Sequence, residues 1–231
     1  MTRADLTHLY FLLDRSGSMQ SIKTDTEGGF AAFVDEQRKT AGECRVTLAQ
    51  FDNEYDVVYS GRPLADVPPL DLQPRGSTAL LDAMGRLITS AGGELAALPD
   101  DQRPGTVIVA VMTDGYENAS QEWTHPAIKA LVEQQTQDYA WQFLYMGADQ
   151  DAIEVGVSLG VSAAASVTYG RGKTAEAMKV SAAKLSRMRS SRARHFASGS
   201  AAPAPMMEAY TDEERASHLN QRRVLACRWL R

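Results

Sequence analysis

Cysteine is scarce in this 231-residue chain, which holds Cys44 and Cys227. They have neither the spacing of a metal-ligand pair nor the density of a disulfide scaffold, so a reducing cytoplasm is the expected compartment. His8, His125, His195 and His218 are scattered, without the paired spacing of a zinc site. No apolar run approaches the ~20 residues that span a bilayer, so no membrane partner is expected. The early apolar stretch at residues 9–13 is short and ends on Asp14, unlike a secretory signal. No internal repeat is visible.

What is present reads as globular. Hydrophobic residues make up 44% and charged residues 23%, close to the average soluble domain. The length suits one domain with a short appendage, or at most two very small domains. The net charge of −5 hides an asymmetry. Residues 1–170 carry 11 basic against 24 acidic side chains, whereas residues 171–195 carry eight basic residues against Glu176 alone. A basic segment on an acidic body raises nucleic-acid binding through residues 174–194 as a third functional class. No aromatic stacking residues are interleaved with these charges, so a solvated helix face beside acidic neighbours is the expected role.

Two hydrophobic periods alternate along the chain. Compact apolar runs at 6–13, 106–112 and 141–146 read as buried strands, and 166–169 as a last strand. Helical spacing covers 21–40, 79–98, 128–137, 152–159 and 174–194, with Gly92-Gly93 expected to weaken the second helix. Residues 44–51 and 55–59 flank Asp52-Asn53-Glu54 and read as an antiparallel hairpin. Strands alternating with helices predict an α/β sheet covered on both faces. ASGSAAPAP at 197–205 reads as a linker, and 206–231 as a short helical or flexible tail.

The chemistry-bearing residues lie at strand ends and helix starts. The first strand ends in Asp14-Arg15-Ser16-Gly17-Ser18-Met19, Arg75-Gly76-Ser77-Thr78 opens a helix, and the 106–112 strand ends in Thr113-Asp114-Gly115. Each group alone is an ordinary cap or turn. Together they place two carboxylates and three hydroxyls on the edge of an open α/β sheet where ligands bind. Two facing carboxylates repel unless a proton or cation lies between them. An all-oxygen donor set favours a hard ion, Mg²⁺ or Mn²⁺, that keeps several waters and can exchange one for an acidic group. Arg15, Met19, Arg75, Ser77, Tyr116, Glu117 and Asn118 are candidates for the rim of such a site. Asp82 reads as a capping or solvated carboxylate. Gly170-Arg171-Gly172-Lys173-Thr174 has part of a phosphate-loop pattern, but Val167 stands where that pattern needs glycine. A glycine turn with Thr174 as helix N-cap is the simpler expectation.

Asp14-x-Ser16-x-Ser18 with Thr78 and Asp114 resembles the metal ion-dependent adhesion site of von Willebrand factor type A domains. The segments DRSGSM, GSTALLDA and TDGYEN look like the bacterial intracellular branch, and the resemblance covers about residues 5–195. It implies a three-layer, doubly wound, mostly parallel six-stranded sheet in the order 3-2-1-4-5-6 with strand 3 antiparallel, and a domain spanning 1–196. It implies that Ser16 and Ser18 contact Mg²⁺ (or Mn²⁺) directly, and that Asp14, Thr78 and Asp114 do so directly or through water. The implied activity is metal-dependent binding of a protein that presents an Asp or Glu carboxylate, without catalysis. Relatives of this type serve as adaptors, for example beside AAA+ ATPases or in stress responses. The rival class is a Mg²⁺- or Mn²⁺-dependent phosphoester hydrolase, because such an ion can activate water.

Overall fold

A computed structural model describes residues 2–148, 151–200 and 204–217. Its strands are β1 (Arg3–Asp14), β2 (Glu43–Phe51), β3 (Tyr55–Pro63), β4 (Pro104–Thr113), β5 (Gln142–Ala148) and β6 (Ser166–Tyr169). They form one sheet in the order β3-β2-β1-β4-β5-β6, in which β3 runs antiparallel to β2 and all other neighbours pair in parallel. The helices are α1 (Lys23–Arg38), α2 (Leu80–Ala97), α3 (His125–Tyr139), α4 (Ala152–Ser158), α5 (Thr174–Ala197) and α6 (Asp212–Ser217).

The continuous apolar runs of β1 and β4 are explained by burial on both faces. With a side-chain period of two, Leu9, Phe11, Leu13, Ile108, Ala110 and Met112 enter one core, which Phe30, Phe33, Met178 and Leu185 of α1 and α5 complete. Tyr10, Leu12, Val109 and Val111 enter the other, against Leu87, Ile88 and Val132 of α2 and α3. The α1–α5 contact is close because Gly29 has no side chain. A Cβ there would stand 2.8 Å from Met178 Sδ and 3.1 Å from Ala175 Cα.

The structure corrects several sequence expectations. A 3-10 turn over Gly17–Ile22 precedes α1, so the first helix starts later than its apolar spacing suggested. Helix α2 continues through Gly92-Gly93 to Ala97, its buried stripe from Leu80 to Leu95 holding it against the sheet. Thr174 is not the N-cap of α5: Asp25 of α1 accepts from the backbone N of Thr174 at 2.9 Å and of Ala175 at 3.4 Å. Nor is the basic helix a solvated face throughout, since Lys184, Arg189 and Arg192 are buried. Lys184 Nζ donates to Ala164 O, Arg189 to Gln37 O and Gly42 O, and Arg192 to Ala140 O. Gln37 and Ala140 lie at the C-terminal ends of α1 and α3, where carbonyls lack intrahelical partners and attract cations. Burial pushes the Lys184 ammonium down to about 7.

The segment after α5 packs back on the domain. Tyr210 is buried, its hydroxyl is 2.8 Å from Ser181 Oγ, and Lys184 Nζ lies 3.6 Å from its ring centre. Met207 N donates to Gln142 Oε1 of β5, and Arg187 pairs with Glu214 at 2.7 Å. Residues 201–203 of the linker and 218–231 of the tail, Cys227 included, lie outside the described residues.

Candidate functional site

In this sheet order β1 lies between β2 and β4, with Leu13 paired to Met112. Asp14 and Asp114 therefore leave two adjacent parallel strands at their C-terminal ends. That is the switch point of the sheet, the crevice where open α/β folds bind ligands. The Asp14 side chain is fully buried, and so is that of Asp114.

The hydroxyls expected beside these carboxylates are there. Ser18 Oγ donates to Asp114 Oδ1 at 2.5 Å, and Ser16 Oγ lies 3.0 Å from Ser18 Oγ. Asp14 Oδ1 accepts from Ser16 N at 2.6 Å, and Asp14 Oδ2 from Thr113 Oγ1 at 2.6 Å. Thr78 comes from the loop before α2 and lies against the Asp114 strand end: a Cβ on Gly115 would stand 2.7 Å from Thr78 Oγ1. The sequence motifs 14–18, 78 and 114 thus converge on one crevice. Burial pushes the Asp14 carboxyl up to about 6, the hydrogen bonds from Thr113 and Ser16 pull it down, and the charge of Asp114 raises it further. Ionised at neutral pH, the pair calls for a compensating cation.

Three loops carry these residues, and Asp52 ties the loop of Ser16 and Ser18 to the loop of Thr78. Its buried carboxylate accepts from Arg15 Nε at 3.0 Å, Arg75 Nε at 2.7 Å and Glu54 N at 2.6 Å. Asp52 O accepts from Ala79 N, Arg75 N donates to Arg15 O, and Gly17 N donates to Gly76 O. Gly76 has φ 67°, and a Cβ there would run into the Asn53 side chain, so this crossing favours glycine. Burial raises the Asp52 carboxyl, but its bonds to Arg75, Glu54 N and Arg15 outweigh that and hold it below the usual range.

The expected rim divides. Tyr116 is 67% exposed, and Arg75, Ser77 and Asn118 are also exposed. Met19 is not a rim residue: it is fully buried in the core beneath α1. Arg15 is largely buried, its guanidinium held by Asp52 and Asp56. Glu117 turns inward to accept from Leu81 N, Ala119 N and Ser120 N. Asn118 Oδ1 accepts from Thr78 N, which fixes the backbone of that site residue. Asp82 acts as the expected cap, accepting from the backbone N of Gln121, Glu122 and Trp123. Beside Gly115 and Tyr116 opens a cleft of about 250 Å³, floored by Leu80, Tyr145 and Leu159.

The sequence gives no role at this crevice to Thr113, Asp52 or Arg171. Arg171, on the loop after β6, brings Nη2 to 4.0 Å from Asp114 Oδ2. A hydroxyl residue directly before Asp114, at the end of a buried strand, was the available signal for Thr113. Asp52 carried no local signal, and Arg171 stood out only within the glycine turn before the basic helix.

Chemically the crevice offers oxygen donors only, the set preferred by a hard divalent ion rather than zinc or copper. Among the described residues no group of three or more His, Cys, Asp or Glu side chains is placed to hold an ion. Here two carboxylates stand with neutral hydroxyls instead.

No protein-family model matches the sequence, and no curated protein does. Solved structures do match the fold. The ArnB paralogue VWA2 of Sulfolobus acidocaldarius superposes with a TM-score of 0.51 at 13% identity, over 77% of this chain and 44% of that one. A von Willebrand factor type A structure from Catenulispora acidiphila gives 0.50 at 15% identity, over 81% and 42%. The vWF domain of the type V pili tip protein Mfa5 from Porphyromonas gingivalis gives 0.53 at 12% identity, over 78% and 94%. The chain thus spans less than half of the first two structures and nearly all of the third. Its fold is the α/β fold of von Willebrand factor type A domains, in the sheet order described above. No helix among the described residues is long and apolar enough to cross a membrane.

Proposed function

We propose that this chain is a divalent-metal-dependent protein-binding domain. Asp14, Ser16, Ser18, Thr78 and Asp114 would hold one Mg²⁺ or Mn²⁺, and a partner protein would present an Asp or Glu carboxylate to it. The observation that carries this is the convergence of two buried carboxylates and their hydroxyl neighbours at the switch point of the sheet. When bound, the ion supplies an electrophilic position for an outside carboxylate. The protein's residues do the rest. Thr113 and Ser16 N orient Asp14, Ser18 orients Asp114, and Asn118 fixes the loop of Thr78. Exposed Tyr116 and the cleft beside it offer an apolar contact next to that position. Aromatic residues at such places often dominate interface energetics.

Nucleic-acid binding through α5 is the weaker alternative, because Lys184, Arg189 and Arg192 are spent on buried backbone carbonyls. Titration calorimetry with Mg²⁺ and Mn²⁺ tests the site, wild type against Asp14→Ala. Affinity should fall steeply in the variant, and equal affinity refutes the assignment. Affinity capture in Mg²⁺ and in EDTA then tests the function. Proteins retained by wild type in Mg²⁺ and lost with EDTA or Asp14→Ala are the expected partners. Turnover of generic phosphoesters with Mn²⁺ would replace binding by hydrolysis.

A further inference from the structure

The loop between β6 and α5 is pinned at both ends. Before it, buried Tyr169 donates its hydroxyl to Thr113 O at 3.5 Å, directly beneath the crevice. After it, Asp25 holds the backbone N of Thr174 and Ala175. Between these anchors Lys173 N donates to Gly170 O at 2.9 Å, closing a tight turn, and Gly172 takes φ 78°. The turn carries Arg171 to the metal crevice, with its side chain 51% exposed and Nη2 4.0 Å from Asp114 Oδ2. Nearby, Lys173 pairs with Glu176, Arg75 with Asp52 and Glu54, and Arg15 with Asp52 and Asp56. Asp14 and Asp114 are buried like charges, and a cation beside one of them lowers their mutual repulsion.

We propose that Arg171 is a tethered counter-cation of this crevice, standing beside Asp114 when the divalent ion is absent and giving way electrostatically when that ion binds. The inference rests on the metal-binding reading above. It makes Arg171 a residue that stabilises the metal-free domain and opposes metal loading. Loss of a purely structural residue would weaken both the fold and the metal site. Loss of a competing cation moves them in opposite directions.

The test measures Mg²⁺ affinity by calorimetry for wild type, Arg171→Gln and Arg171→Lys. It also measures thermal unfolding in EDTA for wild type, Arg171→Gln, Asp114→Asn and the double variant. Arg171→Gln should bind Mg²⁺ about two- to fivefold tighter at low salt, the size that a partly exposed ion pair carries. That ratio should shrink towards one in about 0.5 M salt, where screening is strong. Arg171→Lys should stay close to wild type. In EDTA, Arg171→Gln should melt below wild type, and this loss should disappear in the Asp114→Asn background. If wild type binds Mg²⁺ and Arg171→Gln binds it equally or more weakly, the counter-cation role is overturned and the metal site stands. An equal melting loss in the Asp114→Asn background overturns the pairing. If wild type binds neither Mg²⁺ nor Mn²⁺, both the metal reading and this inference fall.

Discussion

Replacing Asp14 by Asn in the metal-free protein should change stability in opposite directions at low and neutral pH. The carboxyl of Asp14, fully buried, is pushed up to about 6, against about 3.9 for an ordinary aspartate. The native state therefore binds this proton more tightly than the unfolded chain. Native stability is greatest, as far as this group is concerned, below about pH 4; it falls as pH rises through the interval to about 6 and then levels off. The gap corresponds to about 3 kcal/mol of destabilisation when the group is ionised, of which about 2 kcal/mol develops between pH 4.5 and 7.5. Asparagine removes that charge but keeps only one acceptor oxygen for two donors, Ser16 N and Thr113 Oγ1. Thr113 can turn its hydroxyl towards Gly115 O, 3.1 Å away, so the loss should be about 1 kcal/mol. At pH 7.5 in EDTA, Asp14→Asn should be more stable than wild type by about 1–2 kcal/mol. At pH 4.5 the advantage should vanish or reverse. Urea unfolding at the two pH values measures both differences, and other titrating groups cancel between the two proteins. A variant destabilised equally at both pH values would show that Asp14 carries no strained charge, and the electrostatic case for a bound cation would go with it.

Other perturbations have signs fixed by the same geometry. Gly115→Ala puts a Cβ 2.7 Å from Thr78 Oγ1, so Mg²⁺ affinity should drop several-fold in calorimetry while the circular dichroism spectrum is unchanged. Asp52→Ala takes one carboxylate from buried Arg15, which keeps Asp56, and from Arg75, which keeps Glu54, and chemical denaturation should show a loss of about 1–3 kcal/mol. Gly29→Ala forces α1 from α5 at Met178 and Ala175, at a cost of about 1–3 kcal/mol in the same assay. Tyr210→Phe removes the bond to Ser181 and should cost about 1 kcal/mol, with metal affinity unchanged because that hydroxyl bonds none of the site residues.

The fold was legible because its information is local and repeated. VIVAVM at 107–112 is apolar at every position, and a strand buried on both faces accounts for such a run. The helices between strands then leave few ways to connect a parallel sheet. Boundaries were less legible where tertiary contacts decide them. Helix α5 starts at Thr174 because a carboxylate from α1, 149 residues away in sequence, caps it. The basic residues of α5 looked solvated because their charge is written in the sequence, while the backbone carbonyls that receive Lys184, Arg189 and Arg192 carry no side-chain signature.

The crevice shows the same division at finer scale. Asp14, Ser16, Ser18, Thr78 and Asp114 could be read together because each follows a recognisable strand or opens a helix, and parallel strands bring such positions to one edge. The side chains around them could not be sorted by sequence. Arg15 and Met19 flank the two serines on the same short loop, yet Arg15 turns back to a buried aspartate and Met19 drops into the core. What decides between inward and outward at such positions is the company a residue finds. Asp52 lies in a hairpin turn that looks like any other, and only the folded chain brings it two arginines from different loops. That one carboxylate sets the spacing between the loop of Ser16 and Ser18 and the loop of Thr78. The alignment of the Ser16, Ser18 and Thr78 hydroxyls in the proposed site therefore rests on an ion-pair knot that contributes no donor to it. This is why Asp52→Ala should disturb metal binding as well as stability, whereas Tyr210→Phe should disturb stability alone.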